Sequence, residues 1–166
     1  MNYSSYNGCM RKSKYWEPEI VRVWLKEGTT YDTLYNDGVI KRFDILTLAE
    51  EYPIFNALRD RKLFLKGKAD LYGVIWNEDI DISGWAAYNR GVDVTKEYSN
   101  IEQYLVGHKL KQTRINHNVS QVELSKMTDI DQATISKIEN GNMNLSIKTI
   151  MKIVNVLGAK ITLDIK

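Results

Sequence analysis

Between Ser120 and Gly141 the chain carries two short helix signals in succession. Ser120-Gln121-Val122-Glu123 has the pattern of a capping box, a hydroxyl residue followed three positions later by a carboxylate that can reach back to it. Val122, Leu124 and Met127 follow at helical spacing, and the run stops near Thr128. Three residues later Asp131 can cap a second helix that carries Ile135 and Ile138. Gly141 suits the position just past its end, where a left-handed backbone is needed. Two short helices joined by a turn of three to four residues define a helix-turn-helix.

The flanks extend the pattern. Ile101, Tyr104, Leu105, Leu110 and Ile115 would share a broad apolar face on a preceding helix that ends at His117-Asn118, with Ser99 and Glu102 placed to form its capping box. Ser146 is placed to cap a last helix, with Leu145 and Ile150 as a hydrophobic staple. Ile150, Ile153, Val154 and Leu157 give that helix its buried face, and Gly158 ends it. The tail AKITLDIK then alternates Ile161, Leu163 and Ile165 against Lys160, Thr162 and Asp164, a strand pattern. A lone strand needs a partner. Two are open: the same strand of a second subunit, or the edge of an N-terminal sheet.

Segment 107–158 resembles the lambda-repressor/Cro-like, XRE-type class of helix-turn-helix domains. The matching residues are Gly107, Leu110 and Arg114, then Ser120-Gln121 and Leu124, then Gln132 and Thr134-Ile135-Ser136-Lys137-Ile138-Glu139-Asn140-Gly141, and finally Ile150 and Leu157-Gly158. Ser125 stands where the class usually has alanine, Asp129 where it has a turn glycine, and Thr128 where it has an apolar residue. Serine is small enough for the helix crossing, and aspartate tolerates a positive φ better than most residues. The resemblance implies that helix 131–140 enters the major groove of double-stranded DNA with its N-terminal end against the bases. Gln132 would then read a base, an adenine being matched bidentately by its amide. Ala133 could meet a thymine methyl, and Thr134 and Ser136 could contact bases or phosphates. Gln121, Lys137, Asn140, Asn142 and Asn144 are the expected phosphate contacts. Arg114 has two readings, a phosphate contact or an ion pair inside the domain, while Glu139 should pair internally. Antitoxin-type members of the class pair a terminal strand across a dimer. That favours Ile161, Leu163 and Ile165 as a homodimer strand and a palindromic operator with half-sites roughly 34 Å apart.

Upstream, residues 1–15 read as a poorly ordered tail and 16–92 as a small α+β domain, a mixed sheet with short helices. IVRVWLK alternates Val21, Val23 and Leu25 against Arg22, Trp24 and Lys26. TYDTLY and VIKRF flank Asn36-Asp37-Gly38, which is hairpin-turn chemistry. Ile45, Leu48 and Ala49, then Ile54, Phe55 and Leu58, suit short helical turns, with Asp44 as a cap and Pro53 in a first turn. KLFLKGKADLYGVIW returns to strand composition, and IDISGWAAYNRG reads as a strand end and a short helix capped by Ser83. The Asp37-Gly38 turn, Asp44-Ile45-Leu48, Phe55-Asn56-Ala57-Leu58-Arg59-Asp60, Ile75-Trp76 and Asp81-Ile82 resemble the bacterial domain-of-unknown-function family numbered 2442, which implies a fold and no activity. Residues 93–100 read as a linker. The whole is an α+β unit, an all-α helix-turn-helix unit at 101–158, and a terminal β-strand at 159–166.

Charge agrees with this division. Residues 1–106 hold 14 Lys+Arg against 16 Asp+Glu, and 107–166 hold 9 against 5, so the basic excess sits beside the helix-turn-helix. One cysteine and two histidines offer neither an internal disulfide nor a zinc spacing. Glu78, Asp79 and Asp81 form the one acidic cluster, with no histidine or lysine paired to them; a solvated turn is the simpler reading. Phosphate-loop and nucleophile-elbow motifs are absent. No apolar run reaches the roughly 18–20 residues of a membrane span, and the N-terminus lacks a secretory pattern. The expectation is therefore a cytoplasmic, non-enzymatic DNA-binding regulator without a cofactor. Its N-terminal domain would sense a small ligand or hold a protein partner. The alternative is an adaptor or antitoxin whose main role is to bind a protein.

Overall fold

The computed structural model describes residues 18–70 and 73–162. The expected tail 1–15, and Leu163 and Ile165 of the expected strand, lie outside them.

Strands β1 (Ile20–Leu25), β2 (Thr30–Tyr35) and β3 (Ile40–Asp44) form an antiparallel meander. The β2–β3 turn is the expected one: Gly38 takes a φ of 87°, and its amide bonds the carbonyl of Tyr35. Further along the chain, β4 (Lys68–Asp70), β5 (Gly73–Ile75) and β6 (Asp81–Ser83) make a second, three-stranded antiparallel sheet. A two-residue strand, β7 (Val92–Asp93), closes the first sheet on β3, in the order β1-β2-β3-β7.

Every residue of β2 from Tyr31 to Tyr35 is buried, because the strand is covered on both faces. Side chains alternate across a strand, so Tyr31 and Tyr35 point one way and Asp32 and Leu34 the other. Tyr31 and Tyr35 join Phe43, Ile45, Leu48, Phe55, Leu58, Phe64, Val74 and Trp76 in the main N-terminal core. Helical turns cover that core. Two 3-10 segments span Ile45–Leu48, capped by Asp44, and Pro53–Arg59. Helix α2 (Gly84–Arg90) is capped by the Ser83 hydroxyl, which accepts the Ala86 amide. Lys62-Leu63-Phe64, expected as strand, is instead a helical turn, α1 (Arg61–Phe64). Asp60 accepts the Lys62 amide and fixes its start.

The C-terminal part is helical: α3 (Ile101–Asn116), α4 (Gln121–Thr128), α5 (Gln132–Glu139) and α6 (Ile147–Val156). Leu110, Leu124, Ile135, Ile138, Ile153, Val154 and Leu157 form its core. Each such side chain, fully buried, contributes roughly 1.5–3 kcal/mol of hydrophobic stabilisation. Asn100, not Ser99, is the N-cap of α3. Its φ of 59° turns the chain into the helix, and no side chain caps that end.

The second face of β2 joins the two parts. Leu34, Ile40 and Val94 pack with Trp24, Tyr98, Ile101, Tyr104 and Leu105. Helix α3 thus buries apolar residues on two sides, one against the sheet and one against the helical core. The 93–100 segment, expected as a linker, carries part of β7, a 3-10 turn at Thr95–Glu97 and two members of this seam, Val94 and Tyr98.

Candidate nucleic-acid interface

The helix pair 121–139 is set by local hydrogen bonds. Ser120 Oγ accepts the Glu123 amide at 3.1 Å, and Glu123 Oε2 accepts the Ser120 amide at 2.7 Å, the two halves of a capping box. Asp129 takes a φ of 52° at the end of α4, the left-handed geometry that its small polar side chain tolerates. Asp131 Oδ1 then accepts the Thr134 amide at 2.8 Å and starts α5. These bonds favour the ionised carboxylates. The Ser120 backbone amide holds Glu123 below its ordinary range, and the Thr134 hydroxyl and amide do the same for Asp131. Ile135 and Ile138 point into the core, and Gly141, at a φ of 65°, follows the helix.

What faces outward on α5 is arranged by a chain of side chains. Gln132, exposed on the first turn, donates from Nε2 to Gln121 Oε1 at 2.8 Å. Gln121 in turn donates from Nε2 to Glu139 Oε2 at 2.9 Å. Glu139 is buried, and Arg114 grips it twice, Nε to Oε1 at 2.6 Å and Nη2 to Oε2 at 2.8 Å. Arg114 Nη1 also donates to the carbonyl of Val119 at 2.7 Å. The anchored carboxylate orients Gln121, and Gln121 orients Gln132. One N–H of Gln132 is engaged, while its carbonyl and second N–H stay free to face a base edge.

Arg114 was one of the expected phosphate contacts. The structure places it in the internal pair instead, because its guanidinium donors are turned onto Glu139 and Val119 in a buried site. The sequence left that pairing open, but the place of Gln121 in the chain had no local signal: it lies 18 residues from Glu139 and 11 from Gln132.

The other expected contacts divide. Ala133 and Lys137 are exposed, and Thr134 and Ser136 are half-buried on the same helix. Asn140, Asn142 and Asn144 are exposed beyond its end. Asn140 Nδ2 donates back to the Ser136 carbonyl at 2.8 Å, and Asn144 Oδ1 accepts from Gln103 Nε2. Ile161 is half-exposed and not in a strand. One residue was not foreseen here at all. Arg22, on β1, donates from Nη1 to the Asn140 carbonyl at 2.7 Å, placing a cation of the sheet at the C-terminal end of α5.

In the N-terminal unit, Asn77 Oδ1 accepts the amides of Asp79 and Ile80, so Glu78 and Asp79 sit on a turn and Asp81 begins β6, all three exposed. Among the described residues no group of His, Cys, Asp or Glu is placed to hold a metal ion. Asp32 is fully buried. Arg42 donates to both its oxygens at 2.8 Å, and Tyr98 donates its hydroxyl at 2.5 Å. Burial alone would push the Asp32 carboxyl up, but the bonds from Arg42 and Tyr98 hold it below its ordinary value.

Two capped helices, a tight left-handed turn and an oriented amide on the second helix define a helix-turn-helix, the reading element of a large class of DNA-binding proteins. Residues 110–163 match the model of the helix-turn-helix family. No curated protein matches the chain. A crystal structure of a "putative DNA binding protein" from Nitrosomonas europaea aligns at a TM-score of 0.40 and 11% identity, covering 86% of this chain and 88% of that one. Among the described residues no helix is long and apolar enough to cross a membrane.

Proposed function

We propose that this protein is a sequence-specific DNA-binding regulator of transcription that acts in the cytoplasm without enzymatic activity. The observation that carries the reading is the Glu139–Gln121–Gln132 chain, which holds an exposed amide in one orientation on the first turn of α5. A merely solvated glutamine would need no such support. In this reading Gln132, Ala133, Thr134 and Ser136 face the bases. Gln121, Lys137 and the loop asparagines Asn140, Asn142 and Asn144 approach phosphates. The α+β unit, which resembles the unknown-function family numbered 2442, serves as the sensing part.

The reading includes a homodimer on a palindromic site. Ile147 and Met151 support it, since they lie four residues apart on α6 and stay exposed, Ile147 at 78%. Segment 159–166 would add a second contact by pairing as a strand with its copy in the other subunit. Selection of bound sites from random duplex DNA tests sequence, palindromy and binding together. A symmetric motif with two half-sites is expected, and affinity should fall with salt at a log–log slope of about −0.9 per phosphate contact. Equal affinity for all duplexes would refute sequence reading. Sedimentation of a chain lacking 159–166 should show monomer, and an unchanged dimer would refute the strand contact.

A further inference from the structure

Between the sheet and the helix-turn-helix lies an open cleft of about 360 Å³. Its floor and walls come from both parts: β1 at Val21–Val23, Gly67 and the start of β4 at Lys68 and Ala69, α3 at Tyr104, His108 and Lys111, and the end of α5 at Glu139 with Asn140 and Asn142 beyond it. Its volume falls within the roughly 300–1,000 Å³ of small-molecule sites. Its unpaired charges are positive. Arg22, Lys68 and Lys111 all line it, and none has a carboxylate partner among the described residues. The acids nearby are engaged by other side chains. Glu139 is held by Arg114, and Glu19, beside the cleft, is bonded to His108 at 2.9 Å.

Arg22 is built in rather than loose. Its guanidinium lies 4.8 Å from the Tyr104 ring centre and 5.5 Å from that of Trp24, and among the described residues only one of its donors is engaged, on the Asn140 carbonyl. A planar fork held over aromatic rings with free donors is suited to a carboxylate or phosphate group. The two lysines are exposed and reach the same space as point charges.

We propose that this cleft binds a small oxyanion, a carboxylate- or phosphate-bearing metabolite, with Arg22 as the fork and Lys68 and Lys111 as flanking cations. The ligand would share Arg22 with the Asn140 carbonyl, so its binding touches the end of the helix that carries Gln132. The site itself does not depend on the DNA reading.

The test is a titration of the full chain with inorganic phosphate and, separately, malonate, followed by amide NMR shifts at constant ionic strength against chloride. Saturable shifts at Arg22, Lys68, Lys111 and Asn140 with at least one of the two are expected; their relative strength tells phosphate from carboxylate. The double variant Lys68→Ala/Lys111→Ala, which changes two exposed side chains, should keep the fold and weaken that binding at least tenfold. Gln132→Ala should leave it unchanged, which separates this proposal from sequence reading. Shifts that rise linearly without saturation, or that persist in the double variant, would mean surface association only and overturn the site. A lower salt slope for DNA binding in the double variant would overturn it too, since the lysines would then be holding DNA phosphates.

Discussion

Replacing Arg114 by methionine tests the anchored glutamine chain most directly. Glu139 has a side chain only 2% exposed, and its two oxygens accept three hydrogen bonds, two from Arg114 and one from Gln121. Arg114→Met removes both charged donors and leaves a buried carboxylate with one neutral donor. Breaking a buried pair in this way costs about 3–5 kcal/mol, a large share of the roughly 5–15 kcal/mol that holds a domain folded. The double change Arg114→Met/Glu139→Leu removes the charge together with its partner and should recover most of that stability, since an apolar replacement of an ion pair is often neutral or better. It also strips Gln121 of its acceptor. Urea unfolding followed by circular dichroism at 222 nm reads the helices, while tryptophan fluorescence reads the N-terminal unit, where all the tryptophans lie. The expected pattern is a destabilised single variant and a stable double variant that still binds duplex DNA poorly. A single variant that loses under about 1 kcal/mol would refute the buried pair as an anchor. A double variant with wild-type DNA specificity would refute the positioning role of Glu139.

Gly107→Ala should destabilise the helical part by about 1–3 kcal/mol, because a methyl there would collide with the Ile138 carbonyl where α3 crosses the end of α5; an unchanged urea midpoint would contradict that crossing. Gln132→Ala should cost about 1–3 kcal/mol at one base pair per half-site, read by competition between matched and mismatched duplexes, and Gln121→Ala should weaken the same discrimination. Asp32 gives the N-terminal unit an acid limit. Its folded pKa is lowered, so its stabilisation is fully present above the unfolded value of about 3.9 and is lost as pH falls through the folded value. Tryptophan-monitored stability should therefore be level near neutral pH and drop below about pH 4, and Asp32→Asn should lower the plateau and flatten that drop.

Local chemistry was legible in the chain itself. Ser120, Asp131, Ser146, Ser83 and Asp44 all cap where their sequence context places them. Asp129 and Gly141 take the left-handed conformations expected of them. A cap or turn is decided within about four residues, so short sequence contains the information. Periodicity likewise marked Leu124, Ile135, Ile138, Ile153 and Val154 as core. Where local signals competed, they misled: Asn100 displaced Ser99 as a cap, and Asp60 turned an apolar stretch into a helical turn.

Only the tertiary structure decided what covers the second face of the first sheet. Alternation alone puts Arg22 and Trp24 on the side away from the main core, which reads equally well as solvent. Folding sets Trp24 against Tyr98 and Tyr104 and aims Arg22 at the end of α5. The same holds for the exposed edge of α5. The helix-turn-helix was written in caps and spacings, but the path from Arg114 through Glu139 and Gln121 to Gln132 joins residues 11 to 25 positions apart. A hydrogen bond between side chains on different helices depends on how those helices pack, and packing is a property of the folded chain rather than of any stretch of it.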